Sequence, residues 1–216
     1  MPLSQADVFI IDDDALIRDS LEQLVKSVGL KAESFSSVQA FLAITIPDKP
    51  ICLVSDIRMP NLSGLELQDI LLKKETAIPI IFITGHGTVA MSVRAMKAGA
   101  VDFLQKPFED QELLDAIHYA IEQHRITRLE QIEIKAIKQR LKSLTTREHQ
   151  IIILVVAGML NKQIAYALKM NENTVKSHRA RLMRKMDVNS LAELVRATEK
   201  AGIFPPKVTP NQLKNQ

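Results

Sequence analysis

The chain reads as an α/β protein, a doubly wound five-stranded parallel sheet, followed by a small all-helical domain. Three observations predict this. Short apolar runs that end in polar or charged residues recur through the first half, at 8–14, 51–56, 80–84 and 101–108, with helical stripes between them. A stretch from 108 to 157 holds neither Gly nor Pro and keeps a helical apolar pattern. Near its end and beyond it, Thr145, Asn161 and Asn171 open short segments with helix-cap chemistry.

The first run, VFIIDDD at 8–14, is a strand that empties into carboxylates. Three adjacent acids repel one another unless a cation or solvent relieves them, so a divalent metal is their natural partner. Leu16, Ile17, Leu21, Leu24, Val25 and Val28 form a helical stripe that Gly29 ends. Residues 31–35 make a short second strand, and 38–44 a second helix closed by Pro47. The third strand, ICLVSD, ends in Asp56. In open α/β sheets ligands bind outside the carboxyl ends of the strands, which places Asp56 for chemistry, although a lone Asp there also suits a turn or a cap. Leu65, Leu67, Ile70, Leu71 and Leu72 mark the third helix. The fourth strand ends in Thr84, before small residues that admit a close backbone, and a helix over 89–98 stops at Gly99. The fifth run, VDFLQKPF, brings Phe103 and Lys106. One edge of the sheet thus gathers two or three carboxylates, a hydroxyl and an ammonium.

At 216 residues the chain is long enough for two ordinary domains. No apolar run is long enough to span a bilayer, and the first residues lack the basic and apolar regions of a signal peptide. A single cysteine, Cys52, falls inside the third strand, which points to a buried thiol and a reducing, cytoplasmic setting. Residues 1–120 carry 10 Lys and Arg against 17 Asp and Glu, whereas residues 121–216 carry 18 against 8. An acidic half joined to a basic half suggests a metal- or phosphate-handling module attached to something that meets a polyanion.

The strand-end residues, in this order and spacing, resemble the receiver domain of two-component response regulators, whose fold is flavodoxin- or CheY-like. The resemblance implies that Asp12 and Asp13 are the acidic pair, with Arg18 following, and that Asp56 is the phosphoacceptor. It implies that Thr84, Phe103 and Lys106 are the switch residues, and that Asp12, Asp13, Asp56 and the backbone carbonyl of Arg58 hold Mg²⁺. Arg58 and His86, each two residues beyond a site residue, stand where this family tunes phosphoryl lifetime. A rival with an Asp nucleophile after a strand, the haloacid dehalogenase-like phosphohydrolases, needs Asp-x-Asp; here Asp56, Ile57, Arg58 puts a base at the second acid.

A helix from 110 to 142 would be about 50 Å long at 1.5 Å per residue. Ile126, Leu129, Ile132, Ala136, Ile137 and Leu141 fit a dimer seam, a packing surface or a solvated connector. Thr145 and Glu148 form a capping-box pattern before the next helix, Asn161 is expected to cap a short one and Asn171 a third. Two short helices at a tight turn, the later rich in Lys and Arg, make a helix-turn-helix. On that later helix Val175, Leu182 and Met186 face a core, while Lys176, Ser177, Ala180, Arg181 and Arg184 share the opposite side.

The segments LTTREHQII, AGMLNKQIAYAL, NTVKSHRARLMRKM and SLAELV resemble the LuxR-type output domain of the NarL and FixJ class of response regulators. This implies base contacts from Lys176, Ser177 and Ala180, and backbone contacts from Asn161, Lys162, Thr174, Arg181 and Arg184. Ala180 offers at most a methyl contact. The expected domains are a receiver at 1–122, a helical linker at 123–143, a DNA-binding domain at 144–203 and a disordered tail at 204–216. The expected function is a cytoplasmic, phosphorylation-controlled transcription regulator and not an enzyme. Its implied partners are a cognate sensor histidine kinase, double-stranded promoter DNA, RNA polymerase and, on phosphorylation, a second copy as a homodimer; no membrane is involved. Regulation by protein contact and constitutive DNA binding are the alternatives.

Overall fold

The computed structural model describes residues 4–74 and 76–203, so the expectation for 204–216 lies outside the described residues. The chain divides into two units, Met1–Arg128 and Leu129–Gln216. The first alternates β1 (Val8–Ile11), α1 (Ala15–Ser27), β2 (Ala32–Phe35), α2 (Val38–Leu42), β3 (Cys52–Asp56), α3 (Gly64–Lys73), β4 (Ile80–Thr84), α4 (Val89–Lys97) and β5 (Asp102–Gln105), and takes in the first part of α5 (Asp110–Lys142). The second holds the end of α5 with α6 (Thr146–Val156), α7 (Asn161–Leu168), α8 (Glu172–Met186) and α9 (Leu191–Lys200).

The five strands pair in parallel in the order β2-β1-β3-β4-β5. Alternation of side chains splits the core into two layers. Phe9, Ile11, Leu53, Ile80 and Phe82 pack with Val38 and Phe41 of α2, Leu67 and Leu71 of α3, and Ala95 of α4. Val8, Ile10, Cys52, Val54, Ile81 and Ile83 pack with Leu21 and Val25 of α1 and with Leu113, Ile117 and Ala120 of α5. Burial pushes the Cys52 thiol well above its ordinary range, which makes it inert packing. The expected second helix is shorter than its apolar pattern: α2 stops at Leu42, while Ile44 still packs against the core.

The turn chemistry is local. Asp14, Ser37, Ser63 and Thr88 each accept a backbone N–H at the start of a helix, with Ser63 and Glu66 making a full capping box. Two contacts tie the segment before β3 to α5. His124 Nδ1 lies 3.0 Å from both the N–H and the carbonyl of Ile51, and Arg128 pairs with Asp48. Burial holds the His124 pKa below its ordinary value, which favours the neutral ring.

In the second unit one core joins Ile137 and Leu141 of α5 to Ile151, Ile152 and Val155 of α6, Ile164 of α7, Val175, Leu182 and Met186 of α8, and Leu194 of α9. The expected cap at Asn161 is corrected: Leu160 is the extended residue before α7, its N–H bonds to Gln163 Oε1 at 2.8 Å, and Asn161 is the first helical residue. Without a side-chain acceptor at position 160, the glutamine three residues on satisfies that end of the helix.

Among the described residues, Glu148 is the buried charge of this unit. Burial opposes its ionisation, but the Lys185 ammonium at 2.7 Å and the hydrogen bonds with Thr145 prevail, taking its pKa down to about 2. Because the folded pKa is depressed, the stabilisation is complete above the ordinary carboxyl range and is lost as pH falls toward that value. We expect Glu148→Ala to weaken the second unit by about 2 kcal/mol near neutral pH, with the gap to wild type closing from about pH 5 downward. Hydrogen exchange of α6 and α8 amides in the full chain measures this; a gap independent of pH would contradict it.

Candidate functional site

The first unit gathers polar groups at one sheet edge. Asp12 follows β1, Asp56 closes β3, Thr84 closes β4 and Lys106 follows β5. From β1, an interior strand, the chain runs to β2 at one edge and then returns to β3 on the other side of β1, so the strand order reverses at the β1–β3 pair and the crevice there is the place where such sheets hold ligands. Asp12 and Thr84 are each 1% exposed, and Asp56 is 7% exposed.

The Lys106 ammonium bridges the two carboxylates, 2.8 Å from Asp12 Oδ2 and 3.2 Å from Asp56 Oδ1. Backbone donors take the other oxygens: the Asp14 N–H reaches Asp12 Oδ1 at 2.9 Å and the Arg58 N–H reaches Asp56 Oδ2 at 2.7 Å. Arg18 donates to the Asp12 carbonyl at 2.7 Å, and the His86 N–H to the Thr84 hydroxyl oxygen at 3.3 Å. Burial lifts the Asp56 carboxyl above the ordinary aspartate range, against the charge and hydrogen bond of Lys106 and the Arg58 N–H. Burial alone would lower Lys106, but the hydrogen bond and charge of Asp12, joined by Asp56, raise it.

The three consecutive acids divide their tasks. Asp12 is buried, Asp13 is exposed, and Asp14 caps α1 through the Leu16 N–H at 2.8 Å and the Ile17 N–H at 3.4 Å. As placed, no three acidic, His or Cys side chains among the described residues converge to hold a metal ion. Asp12 and Asp56 against the single ammonium of Lys106 leave one negative charge on hard oxygen donors, the donor type that Mg²⁺ takes.

Two glycines let the backbone close on this edge. A Cβ on Gly64 would lie 2.4 Å from the Asp56 carbonyl oxygen. One on Gly87 would lie 3.0 Å from both Thr84 Cγ2 and Phe103 Cε1, so this loop runs against both expected switch residues. Phe103 itself is half-buried against the α2–α4 layer.

The second unit presents a different surface. Lys162, Thr174, Lys176, Ser177, Ala180, Arg181 and Arg184 are all exposed, and Asn161 is half-buried. Several are already engaged: Lys176 pairs with Glu172 at 3.1 Å, and the Ser177 hydroxyl donates to the Asn173 carbonyl at 3.0 Å. Two features escaped the sequence. Arg179 Nη1 donates to Asn161 Oδ1 at 3.1 Å and so ties α8 to the start of α7; periodicity alone could not separate Arg179 from its exposed basic neighbours. Lys185, one of the same basic run, turns to Glu148 and to the Ser143 carbonyl at 3.1 Å.

Comparison with known proteins accounts for both surfaces. Residues 8–118 match the response regulator receiver domain family, and residues 142–198 match the bacterial regulatory proteins of the luxR family. Nodulation protein W of Bradyrhizobium diazoefficiens is 48% identical over 200 residues, 93% of this chain and 88% of that protein. The transcriptional regulatory protein FixJ of the same organism is 42% identical over 198 residues, covering 91% and 96%. Among solved structures, the response regulator StyR aligns with a TM-score of 0.80 at 46% identity, covering 89% of this chain and 98% of that one.

The approach of α3 to the end of β3 generates a prediction. Gly64→Ala forces the Asp56 carbonyl or the α3 start to move, and we expect a loss of about 1–3 kcal/mol. Urea denaturation of the full-length variant checks it; an unchanged midpoint would mean that the strand end yields freely.

Proposed function

The chain belongs to the two-component response regulators that join a receiver to a LuxR-type DNA-binding domain, and on that premise we propose a phosphorylation-controlled transcription regulator with Asp56 as phosphoacceptor. The observation that supports it most is the Lys106 ammonium set between Asp12 and Asp56 at the sheet edge. A carboxylate suited to act as nucleophile and a cation within reach of an incoming group lie together there.

A sensor histidine kinase presents the phosphoryl group on a histidine nitrogen. The Asp56 carboxylate attacks phosphorus in line, the P–N bond breaks, and an acyl phosphate forms while the kinase imidazole leaves. Asp12, Asp13, Asp56 and the Arg58 carbonyl would hold Mg²⁺, whose charge would offset that of the phosphoryl oxygens. The Arg58 N–H orients one Asp56 oxygen, and Lys106 shifts from the carboxylate to the phosphoryl group. The Thr84 hydroxyl donates to another phosphoryl oxygen, and Phe103 turns into the space that Thr84 leaves. Arg58 and His86 border the group and set its lifetime. Beyond this transfer and the slow loss of phosphate, the protein is regulatory and not an enzyme.

The phosphorylated receiver favours a homodimer, and paired LuxR-type domains bind a roughly palindromic promoter site, where they meet RNA polymerase. Lys176, Ser177 and Ala180 read base edges; Asn161, Lys162, Thr174, Arg181 and Arg184 hold the backbone. Such a protein works in the cytoplasm, where the chromosome is; among the described residues no helix is long and apolar enough to cross a membrane.

We expect the wild-type protein, treated with Mg²⁺ and a small phosphodonor, to retain discrete genomic DNA fragments that Asp56→Asn, treated identically, does not. Equal retention by both would show that Asp56 does not gate DNA binding. We further expect Arg58→Ala and His86→Ala to change the rate of phosphate loss several-fold, followed by release of labelled phosphate. Unchanged rates would remove both residues from the site.

A further inference from the structure

Helix α8 is 15 residues long and carries five Lys and Arg side chains but one acid. That acid, Glu172, is its first residue, and Oε1 lies 3.1 Å from Lys176 Nζ, one turn on. Both side chains are about half exposed, at 45% and 55%. Glu before Lys at this spacing is the favourable order for such a pair, and a helix N-terminus welcomes an acid. Both facts explain why Glu172 is tolerated in a lone protein. Neither explains a carboxylate at the end of a helix that enters a groove first, where it faces a polyanion and lowers affinity for any sequence.

We propose that Glu172 is a specificity-determining residue of the DNA interface, reading a base edge that offers an exocyclic amine and holding Lys176 in place beside it. The proposal rests on the reading of α8 as the groove-entering helix. An ionised carboxylate only accepts hydrogen bonds. In the major groove it finds donors only at cytosine N4 and adenine N6, whereas guanine O6 and N7 and thymine O4 repel it. Lys176 has the opposite need: it only donates, and guanine O6 and N7 suit it. In the free protein each satisfies the other at 3.1 Å, and the rest of the exposed face offers Lys176 no rival acid. A matching pair of base steps replaces both partners at once; a mismatched one leaves a carboxylate against an acceptor. Non-specific DNA therefore leaves the pair closed.

The test selects bound sequences from a library of random duplexes, using the full-length protein treated with Mg²⁺ and a small phosphodonor, beside Glu172→Ala and Glu172→Gln. At one base-pair position the wild type should prefer cytosine or adenine by roughly fivefold or more, the scale of one good base contact. Glu172→Ala should flatten that position, disturb the neighbouring guanine preference and tighten binding to non-specific DNA. Glu172→Gln should move the preference toward adenine, whose N6 and N7 match an amide. Helical circular dichroism shows that each variant is folded. If both variants select the wild-type sequence and differ only in non-specific affinity, Glu172 is a local helix charge and the proposal fails. If the wild type itself selects no sequence, the DNA-binding reading fails instead, and the proposal with it.

Discussion

One ammonium stands between two carboxylates that strands β1 and β3 deliver to the same edge, and the rest of the first unit follows from keeping it there. Asp12 and Asp56 are buried, and the Lys106 ammonium lies within salt-bridge distance of both. Burying like charges that closely is costly unless a cation relieves them. The residues that follow in the chain serve the same end: the Asp14 and Arg58 amides take the spare oxygens, and Arg18 braces the Asp12 backbone. Under the function proposed above, a phosphoryl group added at Asp56 would draw on these same contacts.

The strand ends were legible because each lies where an apolar run stops, and a parallel sheet gathers such ends along one edge. In the structure, alternate residues of each strand face opposite sides and so divide the core into two layers, an assignment that the short apolar runs did not carry. What the sequence could not show were contacts made across long stretches of chain. His124 against Ile51, Gln68 donating to the Ala95 carbonyl at 3.1 Å and Lys185 under Glu148 belong to no periodicity and no local motif. The DDD run was legible as an acidic cluster but not as three separate tasks, because which acid turns inward is decided by the strand's pleat and which one caps is decided by where α1 begins.

In the second unit the basic residues of α8 divide by what lies beneath them. Arg179 and Lys185 are engaged by residues of other helices, Asn161 and Glu148, whereas Lys176 pairs only within α8 and Arg181 and Arg184 stay exposed. A count of positive charge therefore overstates what the helix can offer a ligand. Glu148 illustrates the converse: a capping-box acid that could have satisfied only a helix end also anchors a lysine from another helix, so one side chain fixes α6 and α8 together.

Helix α5 belongs to both cores: Leu113, Ile117 and Ala120 pack in the first, Ile137 and Leu141 in the second. Between Arg128, which pairs with Asp48, and Ile137, the helix is exposed at every position except a half-buried Ile134. Within α5 this short window is where a gene fusion could join one receiver to another output domain without robbing either of its packing. Recombination that fell on either side would cost a core residue. The helix thereby marks, in its own burial pattern, where modules of this kind can be exchanged as whole pieces.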